Sequence, residues 1–129
     1  MKERVLVPGL PEPKVSYCRC VKNGNMVFIA GTGAFDPSIG KLNTGDMYTQ
    51  AKLTALNVKA TIEAAGGTLE DLCQLTVFIS DYDEYAEYNR AVDEVFKDVV
   101  IPPTRATVQV ARMLGGIKVE MMGIAIINK

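Results

Sequence analysis

Residues 102–127 read PPTRATVQVARMLGGIKVEMMGIAII. Their reading decides the fold. Pro102 and Pro103 end whatever regular structure precedes them, because proline lacks the donor that a helix or a central strand needs. From Arg105 to Ala111 apolar and polar residues alternate, and alternation resumes from Lys118 to Ile127. Period two is the mark of a strand. Gly115-Gly116 lies between the two runs, so the spacing predicts a hairpin. With Leu114 facing Ile117 across a tight turn, Ala106, Val108 and Val110 share a face with Val119, Met121, Ala125 and Ile127. The other face collects Arg105, Thr107, Gln109, Glu120, Met122, Ile124 and Ile126. The first face is apolar and belongs under helices. The second holds one cation and one anion among apolar side chains, as a face that meets a ligand or another subunit does.

The rest of the chain supplies the cover. Over 45–65, Ala51, Ala55, Val58, Ile62 and Ala65 recur at helical spacing, widened by Leu53, Leu56 and Ala60. Thr44 or Asp46 can cap this helix, and Gly66-Gly67 ends it. Thr68 to Asp71 fits a capping box on a brief turn. Residues 73–80 are rich in β-formers and read as a strand. A second helix is expected over 84–97, with Tyr85, Tyr88, Val92 and Val95 as its stripe and Asp83 as its cap. Nearer the start, 4–7 and 16–21 are short strand candidates. Asn23-Gly24 is a hairpin signal leading into a strand over 25–30. A few strands, helix, strand, helix and a final pair of strands make an α+β domain spanning 1–129. Two helices cover one face of the sheet, and oligomerisation is the simplest way to bury the other.

Composition narrows the chemistry. The 129 residues carry 14 Lys+Arg and 15 Asp+Glu, a net charge of -1, which does not favour nucleic acid as a partner. No apolar run approaches the roughly 20 residues of a membrane span. Histidine is absent, which removes Ser-His-Asp and Cys-His nucleophile pairs and a histidine general base. The cysteines are Cys18, Cys20 and Cys73. Their odd count, with no signal-like start, predicts a reducing cytoplasmic location. No second Cys-x-Cys pair accompanies Cys18 and Cys20, so no metal site is expected.

Arg105 is the first candidate. Prolines stiffen the chain before it, and its planar fork suits a carboxylate; the alternative is a salt bridge to one of the 15 acids. Glu120 is the single acid in its strand. It can position or deprotonate a water, or it can serve as partner to Arg105 or Lys118. In the tight register the two stand six residues apart, about 20 Å along a strand, so one site using both requires another register or two subunits. Tyr17 sits beside the two thiols and is either a proton donor or a half-buried strand tyrosine. Gly31-Thr32-Gly33 is a plain loop or a set of N–H groups aimed at an anion.

These segments together resemble the RidA-like (YjgF) reactive-intermediate deaminases. The likeness rests on Gly24–Gly31, Gln50–Gly66, Leu75–Ile79, Tyr85–Asn89, Phe96, Pro103–Ala111 and Val119-Glu120. The resemblance implies a chorismate-mutase-like α+β fold, a single-layer mixed sheet with two helices on one face, assembled as a homotrimer with sites between subunits. It implies hydrolysis of enamine or imine forms of amino acids to 2-oxo acids and ammonia, with no metal or cofactor. By position, Arg105 holds the carboxylate of a small-molecule substrate, Glu120 assists water, and Tyr17 closes the site. Ala30, Gly31 and Thr107 contact the substrate. The family often has serine where Ala30 stands and cysteine where Thr107 stands. Thr32 and the run Gly33-Ala34-Phe35-Asp36 look more like the branches acting in pyrimidine or aminomuconate breakdown. A non-catalytic trimer that binds small acids is the reading from outside enzymology.

Overall fold

The computed structural model describes residues 1–128. In chain order the elements are β1 (Lys2–Arg4), β2 (Cys20–Asn23), β3 (Met26–Thr32), β4 (Phe35–Asp36), β5 (Lys41–Leu42) and α1 (Met47–Ala64). They continue with β6 (Leu72–Ile79), α2 (Tyr85–Val95), β7 (Thr104–Gln109) and β8 (Val119–Ile126). Six strands form one mixed sheet in the order β1-β2-β3-β8-β6-β7, and β4 and β5 make a small separate ladder. Both helices pack on one face, giving the expected α+β layer.

The local signals hold for most elements. Asn23 pairs with Met26, so the β2–β3 turn residues are Gly24 and Asn25, with Gly24 at φ 62°. Glycine at the first turn position is the arrangement that matches strand twist. Asp46 caps α1 by accepting from the Thr49 N–H at 2.8 Å. Gly66, at φ 96°, ends it. Asp71 accepts from the Thr68 N–H at 2.8 Å on a single 3-10 turn. Asp83 is not the cap of the second helical segment. A 3-10 turn over Tyr82–Glu84 precedes α2, and Asp81 caps that turn by accepting from the Asp83 N–H. Strand β2 begins at Cys20, so Tyr17 lies in the irregular stretch before it.

In α1 the buried face holds Ala51, Ala55, Val58 and Ile62, as the spacing requires, but Leu56 points outward. Thr54 and Thr61 share the buried side, their hydroxyls donating to the carbonyls of Gln50 and Asn57 one turn back. A threonine whose hydroxyl is satisfied within its own helix can be buried at little cost.

The predicted terminal hairpin does not form. β7 pairs in parallel with β6, and β8 pairs antiparallel with both β3 and β6, so β6 separates the two strands. The cause is the connection through α2: a strand, a helix and a returning strand form a crossover, and its strands run parallel. The segment after β7 then passes over the end of β6. Val110 N–H donates to the Ile79 carbonyl on one side, and Ser80 N–H to the Lys118 carbonyl on the other. Gly115 and Gly116, at φ 73° and 67°, bend this crossing where a side chain would strain it.

Inserting β6 inverts the facial parity of β7. Leu75 is aligned with Arg105 and Gly123, and Phe78 with Val108 and Glu120. Arg105, Thr107 and Gln109 therefore lie on the helix-covered side with Leu75, Val77 and Ile79. Ala106 and Val108 join Glu120, Met122, Ile124 and Ile126 on the open face. That face exposes Phe28, Val108 and Met122 at 41%, 42% and 43%.

Candidate functional site

Arg105 opens the edge strand β7 just after Pro102-Pro103, with its side chain turned toward α2. Its Nη2 donates to Tyr85 Oη at 3.1 Å and to Asn89 Oδ1 at 2.8 Å. The guanidinium carbon stands 5.4 Å from the centre of the Tyr88 ring. Among the described residues it makes no salt bridge. The internal ion pair held open as an alternative is thus absent there. Neutral acceptors fix the head of the side chain and leave its charge for something else. It borders a cavity of about 390 Å³ beside α2.

Thr107 is two residues along the same side. Its hydroxyl meets the buried Tyr88 hydroxyl at 2.8 Å, and its carbonyl accepts from Tyr82 Oη at 2.9 Å. Tyr82, Tyr85 and Tyr88 thus brace β7 through three hydroxyls. Helical spacing marks Tyr85 and Tyr88 as apolar stripe alone. The signal that would have found them is a polar tip on each stripe residue, facing a strand that carries one cation. Burial raises the pKa of Tyr88, which keeps it a hydrogen-bonding phenol.

Glu120 occupies the opposite face. It is half-buried, and its carboxylate lies over Gly31, where an added Cβ would stand 2.9 Å from Oε2. Gly31 and Ala30 lie where the β3–β8 register shifts, between Ile29 and Thr32. This irregularity turns local backbone out of the ladder, as bulges beside sites do. The Ala30 N–H is used by the Arg19 carbonyl.

The predicted residues therefore fall into two groups. Arg105 and Thr107 stand together on the helix side, and Glu120, Ala30 and Gly31 on the open side. Two strand spacings and three residues separate Arg105 from Glu120, roughly 14 Å between backbones. This corrects the single shared face expected from the hairpin. Tyr17 is 55% exposed. Cys20 is fully buried on the core side, and burial pushes its thiol up to about 11, so it is no nucleophile. No group of three or more Cys, Asp or Glu among the described residues could hold a metal. No helix among them is long and apolar enough to cross a membrane.

Comparison with known proteins gives this geometry a context. The chain is 34% identical to a RutC family protein of Pyrococcus horikoshii, covering 97% of this chain and 98% of that one. It is 35% identical to the putative reactive intermediate deaminase TdcF of Escherichia coli over 98% of both. It is 28% identical, again over 98% of both, to a protein of Dermatophagoides farinae named 2-iminobutanoate/2-iminopropanoate deaminase. The crystal structure of E. coli TdcF with bound serine superposes with a TM-score of 0.91 at 33% identity, covering 98% of this chain and 99% of that one. Residues 9–127 match the family described as Endoribonuclease L-PSP, and the chain belongs to this family, the YjgF/RidA family.

Proposed function

We propose that the protein hydrolyses reactive enamine or imine forms of 2-amino acids, releasing a 2-oxo acid and ammonia. The observation that carries this reading is Arg105: a guanidinium held at a sheet edge by a phenol and an amide, with no carboxylate paired to it among the described residues. Such a group binds a small carboxylate, and charge-assisted bonds of roughly 1.5–3 kcal/mol each suffice to orient it.

The chemistry is addition and elimination. An enamine first becomes an imine, gaining a proton at its terminal carbon and losing one from nitrogen to water; the carboxylate on Arg105 then places the C=N carbon. A water, oriented and deprotonated by Glu120, adds its oxygen to that carbon while the nitrogen takes up a proton. The tetrahedral carbinolamine then expels ammonia as its C–O bond becomes a carbonyl. No electron changes hands, so the reaction needs no redox cofactor. Imines hydrolyse unaided, so orientation and one proton acceptor are enough. Because Arg105 and Glu120 stand on opposite faces, the working site draws them from neighbouring protomers of a homotrimer. The apolar side chains of the open face support that assembly, and three free thiols suit the cytoplasm.

The test is Arg105→Ala. With freshly generated 2-aminoacrylate, the variant should release no 2-oxo acid or ammonia above the uncatalysed rate, while assembling normally. Retained activity overturns the assignment. Glu120→Gln should lower kcat more than it raises KM; equal loss in both removes Glu120 from the handling of water, and Lys118, its other candidate partner, is already paired with Glu84 at 2.9 Å. A wild type that binds 2-oxo acids without turnover is a binding protein instead. The family name, Endoribonuclease L-PSP, refers to RNA cleavage. The net charge of -1 gives that reading no electrostatic support.

A further inference from the structure

We propose that the cavity between the C-terminal half of α2 and the Pro102-Pro103 strap binds a zwitterionic α-amino acid with an apolar side chain. The inference rests on the preceding reading for one point, that Arg105 is a carboxylate anchor. What it adds is the rest of the cavity. Its volume is about 390 Å³, within the range of small-molecule pockets. Phe96, Pro102, Pro103 and the nearly buried Val92 supply the apolar part of its lining, and only Arg105 and Asp93 bring charge to it.

These two charges share the cavity without meeting. Neither makes a salt bridge among the described residues. Tyr85 and Asn89 hold Nη2 of Arg105, so Nη1 and Nε keep their hydrogens for a ligand. Asp93 has one long contact, from Asn89 Nδ2 at 3.5 Å. Asn89 thus touches both groups, accepting from one and donating to the other. A cation and an anion held separately beside apolar walls match a ligand with a carboxylate, a neighbouring ammonium and a hydrocarbon side chain. The carboxylate goes to Arg105, the ammonium to Asp93, and the side chain lies between Phe96 and the prolines. A 2-oxo acid has nothing for Asp93, and an amine nothing for Arg105.

Titration calorimetry on the intact protein tests this with L-leucine, glycine, 4-methyl-2-oxopentanoate and 3-methylbutylamine. Leucine should bind saturably, and each of the other three at least tenfold more weakly. Asp93→Asn should weaken leucine at least tenfold and narrow its advantage over the oxo acid. The proposal is overturned by unsaturable leucine, by glycine or the oxo acid binding as tightly, or by an unchanged affinity in Asp93→Asn. Should that variant fail to fold, the wild-type ligand series decides alone. Because both ligands need Arg105, leucine should also compete with 2-imino acid substrate. Leucine binding without ammonia release removes the deaminase reading and leaves this one; ammonia release without leucine binding does the reverse.

Discussion

Two neutral hydrogen bonds set what Arg105 can do. A guanidinium paired with an internal carboxylate would be neutralised; one held by Tyr85 and Asn89 is oriented and still charged. Tyr85→Phe removes one acceptor and leaves the ring. The loss of one bond to a charged group predicts a fall of about tenfold in kcat/KM for imino acids, carried by KM. Steady-state kinetics that show no change, or a change in kcat alone, remove Tyr85 from the anchoring of the carboxylate. Gly31 offers a complementary probe. A methyl there would stand 2.9 Å from Glu120 Oε2 and 3.0 Å from its Cδ. The obstacle is the end of a flexible side chain, so Gly31→Ala should leave the melting temperature nearly unchanged while displacing the carboxylate and lowering kcat. A large drop in melting temperature would show instead that the backbone absorbs the clash. Arg105 and Glu120 were both legible in the sequence, as a lone cation after prolines and a lone acid in an apolar strand. Tyr85 and Asn89 were not, because helical periodicity weighs the body of a side chain and is blind to its polar tip.

At the scale of elements, the strands could be read and their neighbours could not. Alternation over 105–111 and 118–127 announces two strands, but period two is the same whether they pair with each other or across a third. The information that separates these outcomes lies in the order β6, α2, β7, which demands a parallel return. That return depends on how the chain is led into β7. Glu70, on the turn before β6, accepts from the N–H groups of Val100 and Ile101 at 2.8 and 3.0 Å, and so anchors the strap ahead of Pro102. No local pattern links residues 30 apart, so this clasp was invisible in the sequence. These two donors hold the Glu70 pKa below its ordinary 4.5. A carboxyl whose pKa is lowered by folding stabilises the native state above its unfolded pKa, and loses that contribution as pH falls through the native one. Glu70→Ala should therefore lower the urea midpoint at neutral pH, and the gap from wild type should close as pH drops below 4.5. A gap that persists unchanged in acid would mean that the carboxylate is not what holds the strap.

For the whole molecule, the two faces of the sheet differ in how far they are covered. Its helix side is a closed core, while Phe28, Val108 and Met122 stand two-fifths exposed on the other. Fully burying such a side chain contributes roughly 1.5–3 kcal/mol, so the two-fifths still exposed offers about 1 kcal/mol each to the proposed association of open faces. The same geometry divides the chemistry, because Arg105 reaches out from the edge strand and Glu120 from the open face. If the site is shared, two dead variants can rescue each other. Arg105→Ala and Glu120→Gln subunits, unfolded together and refolded as a mixture, would form interfaces in which one protomer supplies the intact arginine and its neighbour the intact glutamate. With random assembly of equal amounts, about a quarter of the interfaces in a cyclic trimer carry both. The mixture should regain about that fraction of wild-type ammonia release, while either variant refolded alone stays at its own residual rate. If mixing restores nothing and the refolded particles are intact trimers by sedimentation, both groups must act within one protomer. That would require a displacement of many ångströms through a packed sheet, so a failed rescue would count against Glu120 as the water-handling group before it counted against Arg105.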